Sequence, residues 1–205
     1  MSFDIALSYR AGEHVRECTI RSAAGLVAIT GPSGVGKTTL LDCIAGLRKP
    51  LSGHVRIGGE TLFDSSSGID LAPERRRAGY VFQDLRLFPH RTVAANLAYG
   101  MREGAVMTRQ EAMDFLGIAP LARRYPATLS GGEAKRVAIG RALLAAPGFL
   151  LLDEPLTSLD AARAEEILRL IERIRDELKL PILLVSHAAA EVARLASETV
   201  TLAPG

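Results

Sequence analysis

Three groups of residues in this sequence have the types and spacing to act on a phosphate ester. The first is the run Gly31-Pro32-Ser33-Gly34-Val35-Gly36-Lys37-Thr38-Thr39, which fits G-x-x-x-x-G-K-[ST]. Its glycines let successive backbone N–H groups turn inward, and a helix beginning there adds unpaired N–H groups and its positive dipole end. Lys37 is expected to reach the terminal phosphates, and the Thr38 hydroxyl to help hold Mg²⁺. The second group is the adjacent pair Asp153 and Glu154. Two neighbouring acids are costly to bury unless a cation or a reaction requires them. The third is His187, which follows an apolar run. A lone histidine is usually structural, but one beyond a core strand on the same sheet edge as two acids is a candidate for chemistry.

These groups need strands and helices to hold them. Leu26–Ile29 reads as a short buried strand entering the loop, and Thr39–Ala45 as the helix leaving it, closed by Gly46. Phe149–Leu152 reads as the middle strand of a parallel sheet with the two acids at its C-terminal end, the edge where open α/β sheets place ligands. Pro181–Val185 is a second such strand and delivers Ser186 and His187. Before the loop, Phe3, Ile5, Leu7 and Tyr9 alternate with less apolar residues and predict a strand that returns over Val15–Ile20, opening an antiparallel sheet. A hairpin is expected from His54–Ile57 through Gly58-Gly59 to Glu60–Leu62. Strand signals then give way to helical ones that begin at Thr92, Thr108 and Ser130, which reads as a helical lobe over about 88–145. Leu129-Ser130-Gly131-Gly132-Glu133 is either another anion-receptive helix start or an ordinary N-cap and turn. Ala161–Leu178 is the clearest amphipathic helix, capped by Asp160, and a helix over Ala189–Leu195 and a strand over Thr199–Leu202 follow. Arg75-Arg76-Arg77 reads as solvated surface ahead of a buried strand over Gly79–Phe82 that Gln83 closes, and Leu85, Leu87 and Phe88 as a loop tucked into the core.

Composition sets the outer limits. The 205 residues are 48% hydrophobic and 23% charged, an ordinary globular balance. A net charge of +2 is too small to argue for nucleic acid or an anionic membrane surface. Cys18 and Cys43 have no metal-like spacing and suggest packing roles in a reducing compartment. No apolar run is long enough to span a bilayer, and the N-terminus has no visible signal peptide, so work at a membrane would need another chain to supply the span.

The order of the motifs is more specific than any one of them. The loop at 31–39, Gln83, Leu129–Glu133, Leu151-Leu152-Asp153-Glu154-Pro155, Ser158-Leu159-Asp160 and His187 together resemble the nucleotide-binding subunit of an ABC transporter over nearly the whole chain. Pro73–Asp84, Arg86–His90 and Val137–Leu144 narrow the resemblance to the molybdate importer ATPases; importers of sulfate, iron or polyamines share much of the pattern.

The resemblance implies a single P-loop ATPase domain over residues 1–205, with a mostly parallel core sheet, an N-terminal antiparallel β subdomain and an inserted helical subdomain. It leaves no room for the C-terminal oxyanion-binding domain common in such ATPases. It implies ATP and Mg²⁺ as cofactors. Thr38, Gln83 and Asp153 would hold the metal or its waters, Glu154 would polarise the attacking water, and His187 would contact the γ-phosphate. Ser130, Gly131, Gly132 and Glu133 would close on ATP held by a second copy, with Asp160 coupling the two sites. Tyr9 is the candidate to stack on adenine. Leu85, Leu87 and Phe88 become candidates to dock a transmembrane permease, itself served by a periplasmic or extracellular solute-binding protein. The expected place is the cytoplasmic face of a bacterial inner membrane. The chain departs from the family's pattern around Ala134-Lys135, where a Gln is usual. A soluble ABC ATPase without a membrane partner is the rival; the interval from Gln83 to Leu129 fits a compact lobe and not a long coiled coil.

Overall fold

A computed structural model of the chain describes residues 2–203 and contains two five-stranded sheets. In chain order the strands are β1 (Phe3–Ala11), β2 (His14–Ser22), β3 (Leu26–Thr30), β4 (Ser52–Ile57), β5 (Glu60–Asp64), β6 (Ile69–Asp70), β7 (Ala78–Val81), β8 (Phe149–Asp153), β9 (Ile182–Val185) and β10 (Glu198–Thr201). The α-helices are α1 (Lys37–Ala45), α2 (Val93–Tyr99), α3 (Arg109–Phe115), α4 (Gly131–Leu144), α5 (Ala161–Arg173) and α6 (Ala189–Leu195). One sheet runs β2-β1-β4-β5-β6, all antiparallel; the other runs β10-β3-β9-β8-β7, all parallel.

The parallel sheet is covered on both faces, which is why its strands read as unbroken apolar runs. Alternation then divides each strand between two cores. Leu26, Leu150, Leu152, Ile182 and Leu184 pack with the helices on one side. Val27, Ile29, Phe149, Leu151, Leu183 and Val185 pack with α1 and the antiparallel sheet on the other. Among the described residues, every regular element between β7 and β8 is helical. Thr108 and Ser130 each start a helix with a complete capping box, formed with Glu111 and Glu133.

Three local expectations change. The basic run at 75–77 is not all solvated: Arg76 is 1% exposed. Its guanidinium donates to the carbonyls of Cys43 and Ile44 at 2.9 and 3.0 Å, to Leu71 at 2.8 Å and to the Asp70 carboxylate at 2.8 Å. The end of α1 packs with the antiparallel sheet, and the buried cation joins the Gly46 and Leu47 N–H groups in satisfying its last carbonyls. β7 stops at Val81, so Gln83 lies past the strand and is exposed. The helix expected to run to Leu178 is α-helical to Arg173 and finishes in a π turn over Ile174–Leu178, closed by Lys179 at φ 53°.

Candidate functional site

The C-terminal ends of β3, β8 and β9 lie side by side, and each delivers one part of the site. β3 leads into the loop at 31–39, where Gly31, Gly34 and Gly36 have φ of 139°, 77° and 104°. Gly36 has a second constraint: a Cβ there would lie 2.7 Å from the Ala11 Cβ, so the loop seats directly on the β1–β2 hairpin. The Lys37 ammonium lies on the loop's own carbonyls, 2.9 Å from both Gly31 and Pro32. Thr38 donates its hydroxyl to Asp153 Oδ2 at 2.8 Å, which joins the start of α1 to the end of β8.

Asp153 is buried, and its other oxygen, Oδ1, has no hydrogen-bond partner among the described residues. Burial pushes its carboxyl up from the ordinary carboxylate value; the Thr38 hydroxyl opposes this, Glu154 and Asp42 add to it, and Lys37 opposes it. An orphaned buried carboxylate oxygen beside a threonine hydroxyl and the Gln83 amide is a set of hard oxygen donors. Such a set fits Mg²⁺, which takes one or two carboxylates and completes its shell with water and phosphate oxygens. Thr38, Gln83 and Asp153 line one hollow of about 410 Å³ with Phe82, Asp84 and Arg86. It adjoins a polar cavity of about 380 Å³ formed by Ser33, Gly34, Gly36, Lys37, Thr38, Thr39, Gln83 and Glu154, with Ala11 and Gly12 on its rim.

Glu154 takes the left-handed backbone at φ 48°, where a non-glycine residue costs about 1–3 kcal/mol and is found mostly at functional sites. Its N–H donates to the Val185 carbonyl at 3.0 Å, and its Oε2 accepts from the Thr157 hydroxyl at 3.0 Å. Its Oε1 is 3.6 Å from Nδ1 of His187, close but beyond hydrogen-bond reach. The His187 side chain is 62% exposed. Ser186 anchors the turn that carries it: the hydroxyl donates to Glu191 at 2.6 Å and accepts from the Ala188 N–H at 3.1 Å.

The remaining candidates lie elsewhere. Tyr9 faces inward, fully buried against Gly36, with its hydroxyl unpartnered and burial pushing its pKa up. The alternation of β1 turns this ring into the core, so it has no face for adenine, and that expectation is corrected. Ser130, Gly131, Gly132 and Glu133 do not line the phosphate cavity. Ser130 accepts from the Glu133 N–H at 3.3 Å, and the Glu133 carboxylate accepts from the Ser130 N–H at 2.7 Å, so here they form an N-cap. Asp160 caps α5 by accepting from the Arg163 N–H at 2.9 Å. Leu85 and Leu87 pack partly against the core. Lys135, noted in the sequence only as a departure from the family's pattern, contacts the Glu154 loop through Thr157, which the sequence reading did not single out; a lysine on the apolar face of a helix was the available signal for a role.

This fold and site define a P-loop nucleotide-binding cassette. The sequence model of the family described as ABC transporter matches residues 19–157, and the chain belongs to that family. It is 54% identical over its whole length to a "Molybdenum import ATP-binding protein ModC" of Mesorhizobium japonicum, covering 56% of that protein. Proteins of the same name from Brucella abortus and Rhodospirillum rubrum are 51% and 52% identical over 98% and 90% of the chain, which covers 57% and 51% of them. The chain thus spans about half the length of the curated relatives it matches. Among solved structures, the ATP-binding cassette MJ0796 in a dimeric post-hydrolysis state bound to ADP and Pi has a TM-score of 0.75 at 29% identity, covering 98% of this chain and 94% of that one.

Proposed function

We infer that this chain binds ATP with Mg²⁺, hydrolyses it between two copies of itself, and so drives a membrane importer whose cargo is molybdate. The observation that carries the catalytic part is the Thr38–Asp153 hydrogen bond of 2.8 Å, which sets a metal-binding oxygen set across the phosphate loop with Glu154 as the next residue. The loop N–H groups and Lys37 bind and orient the phosphates. Glu154 accepts a proton from the attacking water as its oxygen bonds to the γ-phosphorus in line with the departing ADP oxygen. His187, 3.6 Å from that carboxylate, steadies water and γ-phosphate. Thr38, Gln83 and Asp153 would hold Mg²⁺, which would supply positive charge beside the phosphate oxygens.

The two-copy arrangement is supported by the dimeric state of the similar cassette and by the position of Ser130–Glu133 away from the phosphate cavity. Among the described residues no helix is long and apolar enough to cross a membrane; the import named in the relatives' names supports a permease as the partner that supplies the path. An apolar hollow of about 270 Å³ lined by Leu47, Tyr80, Phe82 and Tyr99 offers it a seat; Leu47 and Tyr99 are 50% and 59% exposed. This surface replaces Leu85 and Leu87 as the docking candidate and keeps Phe88 beside it, 4.4 Å from Tyr99. Such docking sets the chain at the cytoplasmic face of the membrane. The names of the relatives support molybdate as cargo.

The test has two parts. Glu154→Gln is expected to keep ATP binding, lose turnover by about a thousandfold or more, and accumulate as an ATP-bound dimer in sizing experiments. Wild-type hydrolysis by that variant would remove Glu154 from the base role. Co-purification with a permease and ATP-driven uptake of labelled molybdate, with sulfate and tungstate in parallel, tests the cargo; uptake of an unrelated solute would overturn it.

A further inference from the structure

The geometry points to Lys135 as a positioning residue for the reaction: its ammonium ties the start of α4 to the loop that orients Glu154, acting through Thr157. The inference rests on the reading of Glu154 as the general base. Lys135 lies in the second turn of α4 and is 6% exposed. Its Nζ donates to the Thr157 carbonyl at 2.6 Å. Thr157 in turn donates its hydroxyl to Glu154 Oε2 at 3.0 Å and its N–H to the Glu154 carbonyl at 3.3 Å. One residue is therefore held from behind by Lys135 while it holds the carboxylate in front.

The segment needs such a hold. Glu154 and Ser158 both have left-handed backbone, at φ 48° and 67°, and conformations of this kind persist only when neighbours over-determine them. The lysine also lacks a better explanation. Buried lysines are ordinarily paired with a carboxylate, and among the described residues none lies within ion-pair distance of this one. Burial lowers its pKa, and the fields of Glu191 and Glu154 favour its charged form. An apolar side chain would suit a buried helical position better on stability grounds. A cation kept there for a single backbone carbonyl is explained by what that carbonyl's residue does next.

The test uses the full chain, with kcat and KM for ATP and the thermal midpoint measured on each variant. Lys135→Met, which keeps length and loses the donor, is expected to lower kcat about 10–100-fold. Its KM should stay within about twofold of wild type, with no loss of thermal midpoint. Lys135→Gln restores a donor and should recover most of the rate. Thr157→Val should fall like Lys135→Met, and the double variant no further than the lower of the two, because both break one chain of bonds. Wild-type kcat in Lys135→Met would overturn the proposal. So would a fall matched by lost ATP affinity and thermal midpoint and not rescued by glutamine, which marks a purely structural residue. Glu154→Gln runs alongside: if it hydrolyses normally, the base reading fails; if it is inactive while Lys135→Met is normal, only the tether fails.

Discussion

At the scale of single residues, Asp153 shows how much of the site is already assembled by the chain. Its Oδ2 accepts from Thr38 while Oδ1 lies buried and unpartnered, an arrangement that a divalent cation would complete. Asp153→Asn keeps an oxygen to accept the Thr38 hydroxyl but loses the charge and turns the unpartnered oxygen into an amide NH₂ that cannot ligate a metal. It should raise the Mg²⁺ concentration needed for half-maximal hydrolysis by about tenfold or more and lower kcat by about a hundredfold, with metal-free ATP binding intact. An Mg²⁺ titration that superimposes on wild type would take Asp153 out of the metal set. The motif at 31–39 and the acids at 153 and 154 were legible in the sequence because each sits at the end of an apolar run, and a strand end fixes where the next residue points. The inward face of Tyr9 was legible too, since it alternates with Phe3, Ile5 and Leu7, and the expected adenine contact ran against that parity. The contact of Lys135 was not, because it is made 22 residues along the chain.

Among the elements, α1 carries the phosphate loop at one end and Arg76 at the other. The buried guanidinium takes the carbonyls of Cys43 and Ile44, and a Cβ on Gly46 would come within 2.6 Å of it. Arg76→Met leaves the Cys43 carbonyl with only the Gly46 N–H and removes the guanidinium's bonds to Ile44, Leu71 and Asp70, and should destabilise the fold by about 2–3 kcal/mol, or about 5–10 °C in thermal midpoint for a domain of this size. A thermal midpoint within a degree of wild type would assign the cap to water instead. The sequence predicts nearly every strand and helix here, because apolar periodicity and capping residues are local. It could not separate Arg76 from its two neighbours, since the helix end it serves lies some thirty residues earlier. The strand pair Val81 and Leu152 was legible as two apolar runs, whereas its parallel register depends on α4 and the helices before it filling the space between.

At the scale of the whole molecule, one face holds the phosphate loop, Asp153, Glu154 and His187, while the helix start at Ser130 lies outside that cavity, capped by its own Glu133. A Ser130→Ala copy keeps a sound loop face, and a Glu154→Gln copy keeps a sound Ser130 face. Each variant alone should be inactive, because every paired site repeats the same defect. Mixing the two should bring hydrolysis back, since the mixed pair joins the good half of each in one site. Recovery should grow with exchange time and vanish if the copies are cross-linked beforehand; no recovery on mixing would mean that each chain works alone. Such a protein can be rescued by a broken version of itself, so harm from one defective copy depends on which half it carries.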